Sequence, residues 1–72
     1  MTIQNLQALA NHLKLGGYNA NYDTYLRAVR VFTLDFQAAS ISEMLRNEGY
    51  ETRSELTGRI IGSVPEAIVY AR

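Results

Sequence analysis

Apolar residues first recur three and four positions apart: Ile3, Leu6, Leu9, Ala10 and Leu13 alternate with Gln4, Gln7, Asn11 and Lys14. This period predicts an amphipathic helix over residues 2–15. Thr2 is placed to cap its start, His12 and Lys14 suit the negative end of the helix dipole, and Gly16-Gly17 stops it. Between residues 18 and 26 the period is lost, and a mixture of Asn, Asp and Tyr reads as an ordered surface loop. Tyr18, Tyr22 and Tyr25 there either cover the edge of a core or form an aromatic binding surface. In the stretch 27–36, Val29, Val31, Phe32 and Thr33 predict a short strand. A helix starting after Asp23 competes with it, because Tyr22, Leu26, Val29, Thr33 and Phe36 also lie near helical spacing.

Beyond this point the sequence places Glu three residues after Ser or Thr three times: Ser40 with Glu43, Thr52 with Glu55, and Ser63 with Glu66. Each pair has the spacing of a capping box and predicts a helix start. The first helix is expected over 41–48, with Ile41, Met44 and Leu45 inward and Gly49 as a left-handed stop; Asp35 is a competing, earlier start. The second is expected from Arg53 to about Gly62, with Leu56, Ile60 and Ile61 on its apolar side and Gly58 weakening it. A third short helix carries Ala67, Ile68 and Tyr70, with Pro65 in its first turn. No repeat of 20–50 residues is evident.

The chain has 72 residues, 47% of them hydrophobic and 19% charged, which sets a single globular domain over 1–72: helix 1–17, loop 18–26, then strand plus helices over 27–72. A chain this short buries a modest share of its surface, so association with a second copy is an attractive source of further burial. Zero cysteines and a single histidine argue against disulfides, thiolate zinc sites and histidine metal sites, and no cofactor is implied. Seven basic and seven acidic residues cancel, so no global field draws the chain to nucleic acid or membrane. With no long apolar run and no signal-like start, a cytoplasmic location without membrane association is expected. Enzymatic signatures are lacking too. His12 has no acidic neighbour in sequence, while Glu43, Glu48, Glu51 and Glu55 read as helix-supporting surface charges, so the chain is read as not an enzyme.

The segment Gly49-Tyr50-Glu51-Thr52-Arg53-Ser54-Glu55-Leu56, followed by Ile60-Ile61, resembles the second half of the ribbon-helix-helix family of DNA-binding proteins. Upstream, Val29-Arg30-Val31-Phe32-Thr33-Leu34-Asp35 is similar to that family's ribbon strand entering its first helix. The resemblance covers roughly residues 28–64. It implies a mainly α fold with one short β-strand: an N-terminal helix, then a strand and two or three short helices. It further implies a homodimer in which the strand pairs with its twin and lies in the major groove of DNA. By this resemblance Arg30, Val31 and Thr33 contact bases, and Thr52, Arg53 and Ser54 hold phosphate at a helix start. Phe32, Leu34, Ile41, Leu45, Leu56 and Ile60 form the dimer core.

Strand alternation leaves the register of that ribbon open. Arg30 on the groove side brings Phe32 and Leu34 with it, whereas Val31 and Thr33 on the groove side turn Arg30 inward. An all-α alternative, similar to a helix-turn-helix, uses residues 64–71 as the recognition helix. The expected function is a small dimeric DNA-binding transcriptional regulator. The alternative is a non-enzymatic protein-interaction module, an inhibitor or adaptor without nucleic-acid binding, which suits the neutral charge and the Tyr-rich loop.

Overall fold

The computed structural model describes residues 5–72. Along the chain run α1 (Leu6–Leu15), β1 (Asn19–Asp23), β2 (Ala28–Leu34), α2 (Asp35–Asn47), β3 (Thr52–Ile61) and β4 (Val64–Ala71). All strand pairings are antiparallel, in the sheet order β1-β2-β4-β3. This α+β fold corrects both the mainly α expectation with one short strand and the all-α alternative. The strand expected near Val29–Leu34 is present as β2 and the helix from Asp35 as α2, the earlier of the two starts considered. Residues expected as a loop form β1, and the two helices expected after Thr52 and Ser63 are the hairpin β3–β4.

The N-terminal helix begins at Leu6, capped by Asn5, whose Oδ1 accepts from the Gln7 N–H at 2.8 Å. Thr2 and Ile3, expected at its start, lie outside the described residues. Both helices end in the same way. The Gly17 N–H donates to Lys14 and the Tyr18 N–H to Leu13; the Gly49 N–H donates to Arg46 and the Tyr50 N–H to Leu45. These are Schellman closures, and they require the left-handed backbone that Gly17 (φ 92°) and Gly49 (φ 99°) adopt.

After each closure comes a β-hairpin, so the chain consists of two successive αββ units. Pairing β2 with β4 at the centre places β1 and β3 at the edges, the order that a twofold axis between the units generates. The sequence bears a trace of this at an offset of 32 residues: Leu9 and Ile41, Leu13 and Leu45, Gly17 and Gly49, Tyr18 and Tyr50. Two aliphatic positions, a glycine and a tyrosine therefore recur, which corrects the reading that no repeat exists.

Alternate strand residues Ala20, Val29, Val31, Ala67, Val69 and Ala71 are buried in one cluster with Leu9, Ala10 and Leu13 of α1 and Ala38, Ile41 and Leu45 of α2. Both helices thus cover the same face of the sheet. The inward strand residues are alanine or valine, which lets the helices sit close to the sheet. Within this core only the Ser42 hydroxyl is buried without a hydrogen-bond partner among the described residues. Its counterpart in the first unit is Ala10, itself fully buried. Removing an unsatisfied buried hydroxyl removes its desolvation cost, so Ser42→Ala is expected to raise the free energy of unfolding by about 1 kcal/mol in urea titrations. An unchanged or lower value would show that the hydroxyl is satisfied in solution.

Candidate binding surface

The face of the sheet opposite the helices carries two rows of side chains. Strand register aligns Asn21, Arg30, Tyr70 and Arg53 across β1, β2, β4 and β3, and beside them Asn19, Phe32, Ile68 and Glu55. No described element covers this face. Phe32, Ile68 and Tyr70 on the two central strands are half-buried by their neighbours alone.

The charges of this face are tied to its rings. The Arg30 Nε donates to Asn21 Oδ1 at 3.0 Å, and its Nη1 lies 3.5 Å from Asp23 Oδ2. Its guanidinium carbon sits 5.7 Å from the centroid of the Phe32 ring, and that of Arg53 sits 5.1 Å from the Tyr70 ring, both in cation–π range. The Tyr70 hydroxyl donates to Glu55 Oε1 at 2.9 Å. That hydrogen bond, then partial burial and the Glu55 charge, hold the phenol above its ordinary pKa against the opposing pull of Arg53 and Arg30. The cations Arg30 and Arg53 are matched by Asp23 and Glu55, and Glu66 of β4 adds a further acid, so the face carries no net positive charge and is ordered by its own contacts.

At the end of the sheet where β2 runs into α2, the face opens into a cleft of about 670 Å³. Phe32, Leu34, Phe36 and Ile61 give it apolar walls, with Tyr18 just before β1, Asn19 at its start, Glu66 from β4, and Thr33, Gln37 and Ser40 where it reaches round to the helix side. Glu66 is buried and accepts from the Thr57 hydroxyl at 2.8 Å. Thr57 belongs to a bulge in which residues 57–59 of β3 face the single residue Glu66 of β4. The hairpin then closes through Gly62 and Ser63, at φ 61° and 98°, the positive values that a type I′ turn demands.

Of the residues expected to read bases, Arg30 lies on the open face, whereas Val31 is fully buried in the core. Thr33 lies on the helix side, its hydroxyl donating to Gln37 Oε1 at 3.1 Å. β2 is hydrogen-bonded to β1 on one edge and β4 on the other, so it has no free edge for a twin strand. Thr52, Arg53 and Ser54, expected as a phosphate clamp at a helix start, lie instead in β3, an edge strand without a helix dipole.

The expected dimer core divides. Ile41 and Leu45 are buried within the chain's own core, Phe32 and Leu34 are partly buried, and Leu56 and Ile60 are 59% and 65% exposed. Residues 64–71, the expected recognition helix, are strand β4. Sequence reasoning missed Ile68, Tyr70, Asn19, Asn21 and Glu55 as members of one face. The available signal was the alternation of small Ala67, Val69 and Ala71 with larger Ile68 and Tyr70.

Among the described residues no helix is long and apolar enough to cross a membrane. Comparison of the chain with protein-family models, curated proteins and solved structures gave no match.

Proposed function

We propose that this chain is a non-enzymatic protein-interaction module that docks a protein partner on the open face of its sheet. The observation that carries the proposal is the pairing of half-buried Phe32, Ile68 and Tyr70 with Arg30 and Arg53 on a face that carries no net positive charge. Aromatic residues and arginine are enriched where proteins meet, and rings already held by neighbours lose little freedom when a partner covers them. The adjoining cleft offers apolar walls for an anchoring side chain. Such a face supplies little of the counterion release on which nucleic-acid affinity depends.

A nucleic-acid-binding regulator is the second reading, favoured by one observation: two rings on the central strands, each beside a guanidinium, are the makings of a base-stacking platform. In this form it needs no paired β2 ribbon. The experiment compares the wild-type chain with the doubly substituted Phe32→Ala, Tyr70→Ala chain. A protein partner captured from lysate by the wild type should bind the variant at least about tenfold more weakly, as loss of interface anchors implies. Equal binding by both would refute docking on this face. A steep, salt-dependent affinity for single-stranded oligonucleotides, lost in the variant, would transfer the surface to the second reading.

A further inference from the structure

The sheet has two edges, and they are protected differently. β1 is five residues long and begins Asn-Ala-Asn, a polar, poor strand former. β3 is ten residues long, lacks proline, and is exposed along most of its length. Among the described residues its second edge has no partner strand. The bulge at residues 57–59 and the charges of Arg53 and Glu55 guard this edge against indiscriminate pairing, but the regular run Thr52–Leu56 remains a template for a strand that matches its charges. We infer that β3 pairs antiparallel with β3 of a second copy of this chain, about a twofold axis through Ser54, joining two sheets into one of eight strands.

Hydrogen-bond parity identifies which backbone groups are free. Glu51 and Arg72 exchange both of their backbone hydrogen bonds, at 3.0 and 2.9 Å. By strand alternation Arg53 and Glu55 likewise bond to β4, and the N–H and C=O groups of Thr52, Ser54 and Leu56 point to the open edge. The regular part of β3 runs from Thr52 to Leu56 before the bulge, and its midpoint is Ser54. In a continuous sheet, only an axis through a residue keeps the faces matched, which leaves five registers, centred on residues 52 to 56.

An axis at Arg53 sets Arg53 against its own copy, and an axis at Glu55 sets Glu55 against its own copy. Like charges directly opposite destabilise a pair of strands. An axis at Leu56 opposes Arg53 to Arg59 and runs into the bulge. An axis at Thr52 carries the pairing off the strand into residues before it. With the axis at Ser54, Arg53 faces Glu55 of the second copy and Glu55 faces its Arg53, in non-hydrogen-bonded positions where Cα atoms are about 4.5 Å apart. Leu56 then lies opposite Thr52, which covers part of a side chain that is 59% exposed in the single chain. All three outward residues satisfy their backbone groups in this register; an axis at Thr52 would also oppose Arg53 to an acid, Glu51, so charge complementarity and the span of the regular strand together select Ser54. Arg53 and Glu55 also belong to the open face, so association of the chain with itself is measured apart from partner binding.

Sedimentation equilibrium of the full chain should show a dimer. Arg53→Glu and Glu55→Arg each place like charges opposite one another at both symmetric positions, and each should weaken dimerisation by about tenfold or more. Mixed in equal amounts, the two variants should form a heterodimer in native mass spectrometry, because every Glu then has an Arg available across the axis in place of a like charge. The double exchange R53E/E55R should recover the wild-type association. Ser54→Pro, which removes an outward donor that β4 does not use, should give a monomer with an unchanged circular dichroism spectrum. It carries the test if a charge variant does not fold. A wild-type chain that is monomeric at about 0.1 mM, a dimer indifferent to both charge variants, or a mixture that fails to associate would overturn the inference.

Discussion

Val31→Asp is expected to unfold this protein, whereas the same change one position on, Phe32→Asp, is expected to leave it folded. Both residues belong to β2, a central strand, and successive side chains of a strand point to opposite faces. Val31 has no exposed surface and is enclosed by the apolar residues of both helices and of β4. A carboxylate there either ionises in a medium that cannot solvate it or protonates and still lacks hydrogen-bond partners. Either route costs several kcal/mol, at the severe end for a single substitution, on the order of 4 kcal/mol or more. Phe32 lies on the open face beside Arg30, whose guanidinium can pair with the new carboxylate, so the loss of stability should stay at about 1 kcal/mol. Thermal melts followed by circular dichroism distinguish the two. The reverse result would mean that the open and covered faces of the sheet have been interchanged. With Phe32 on the uncovered face, the folded Phe32→Asp chain should lose partner binding, because the change removes a central ring from the proposed docking surface.

The same alternation explains what was legible in the sequence. α1 shows a clear period in Leu6, Leu9, Ala10 and Leu13, and its Gly-Gly stop is unambiguous. β2 was legible through its β-branched residues, and the Gly49 stop of α2 through its position after Leu45. The second hairpin was not. Ser or Thr with Glu three residues later is a capping box on a helix, but on a strand the same spacing simply places the two on opposite faces, as with inward Thr52 and outward Glu55.

In β4 both faces are apolar, with Ala67, Val69 and Ala71 inward and Ile68 and Tyr70 outward, so the polar alternation that marks a strand is missing. Gly58, Gly62 and Ser63, which read as a weak helix and its boundary, are instead the bulge and the turn. Pairing with β2, a contact between segments more than thirty residues apart, decides the state of residues 64–71 against their local signals. The proposed docking surface was hidden for this reason, since Tyr70 and Ile68 join Phe32 only through that pairing.

Truncating either Leu9 or Leu45 to alanine should lower the melting temperature by a similar, large amount through one cooperative transition. Each residue is fully buried, Leu9 in the first αββ unit and Leu45 in the second, and both belong to one continuous core. Loss of a buried leucine side chain costs about 2–5 kcal/mol, transfer and cavity terms together. A domain of 72 residues has a total stability of roughly 4–11 kcal/mol. Either substitution therefore removes a large part of the total, and a loss of about 3 kcal/mol corresponds to roughly 12–24 °C at this size.

The single transition is the more informative outcome. A unit of one helix and one hairpin is too small to bury an adequate core by itself, so each half depends on the β2–β4 pairing and on the other half's helix. Scanning calorimetry of Leu9→Ala should show calorimetric and van't Hoff enthalpies in agreement. A biphasic melt, with the α2 half surviving the loss of the α1 half, would mean that the two repeats fold independently and that the sheet joins two separate domains.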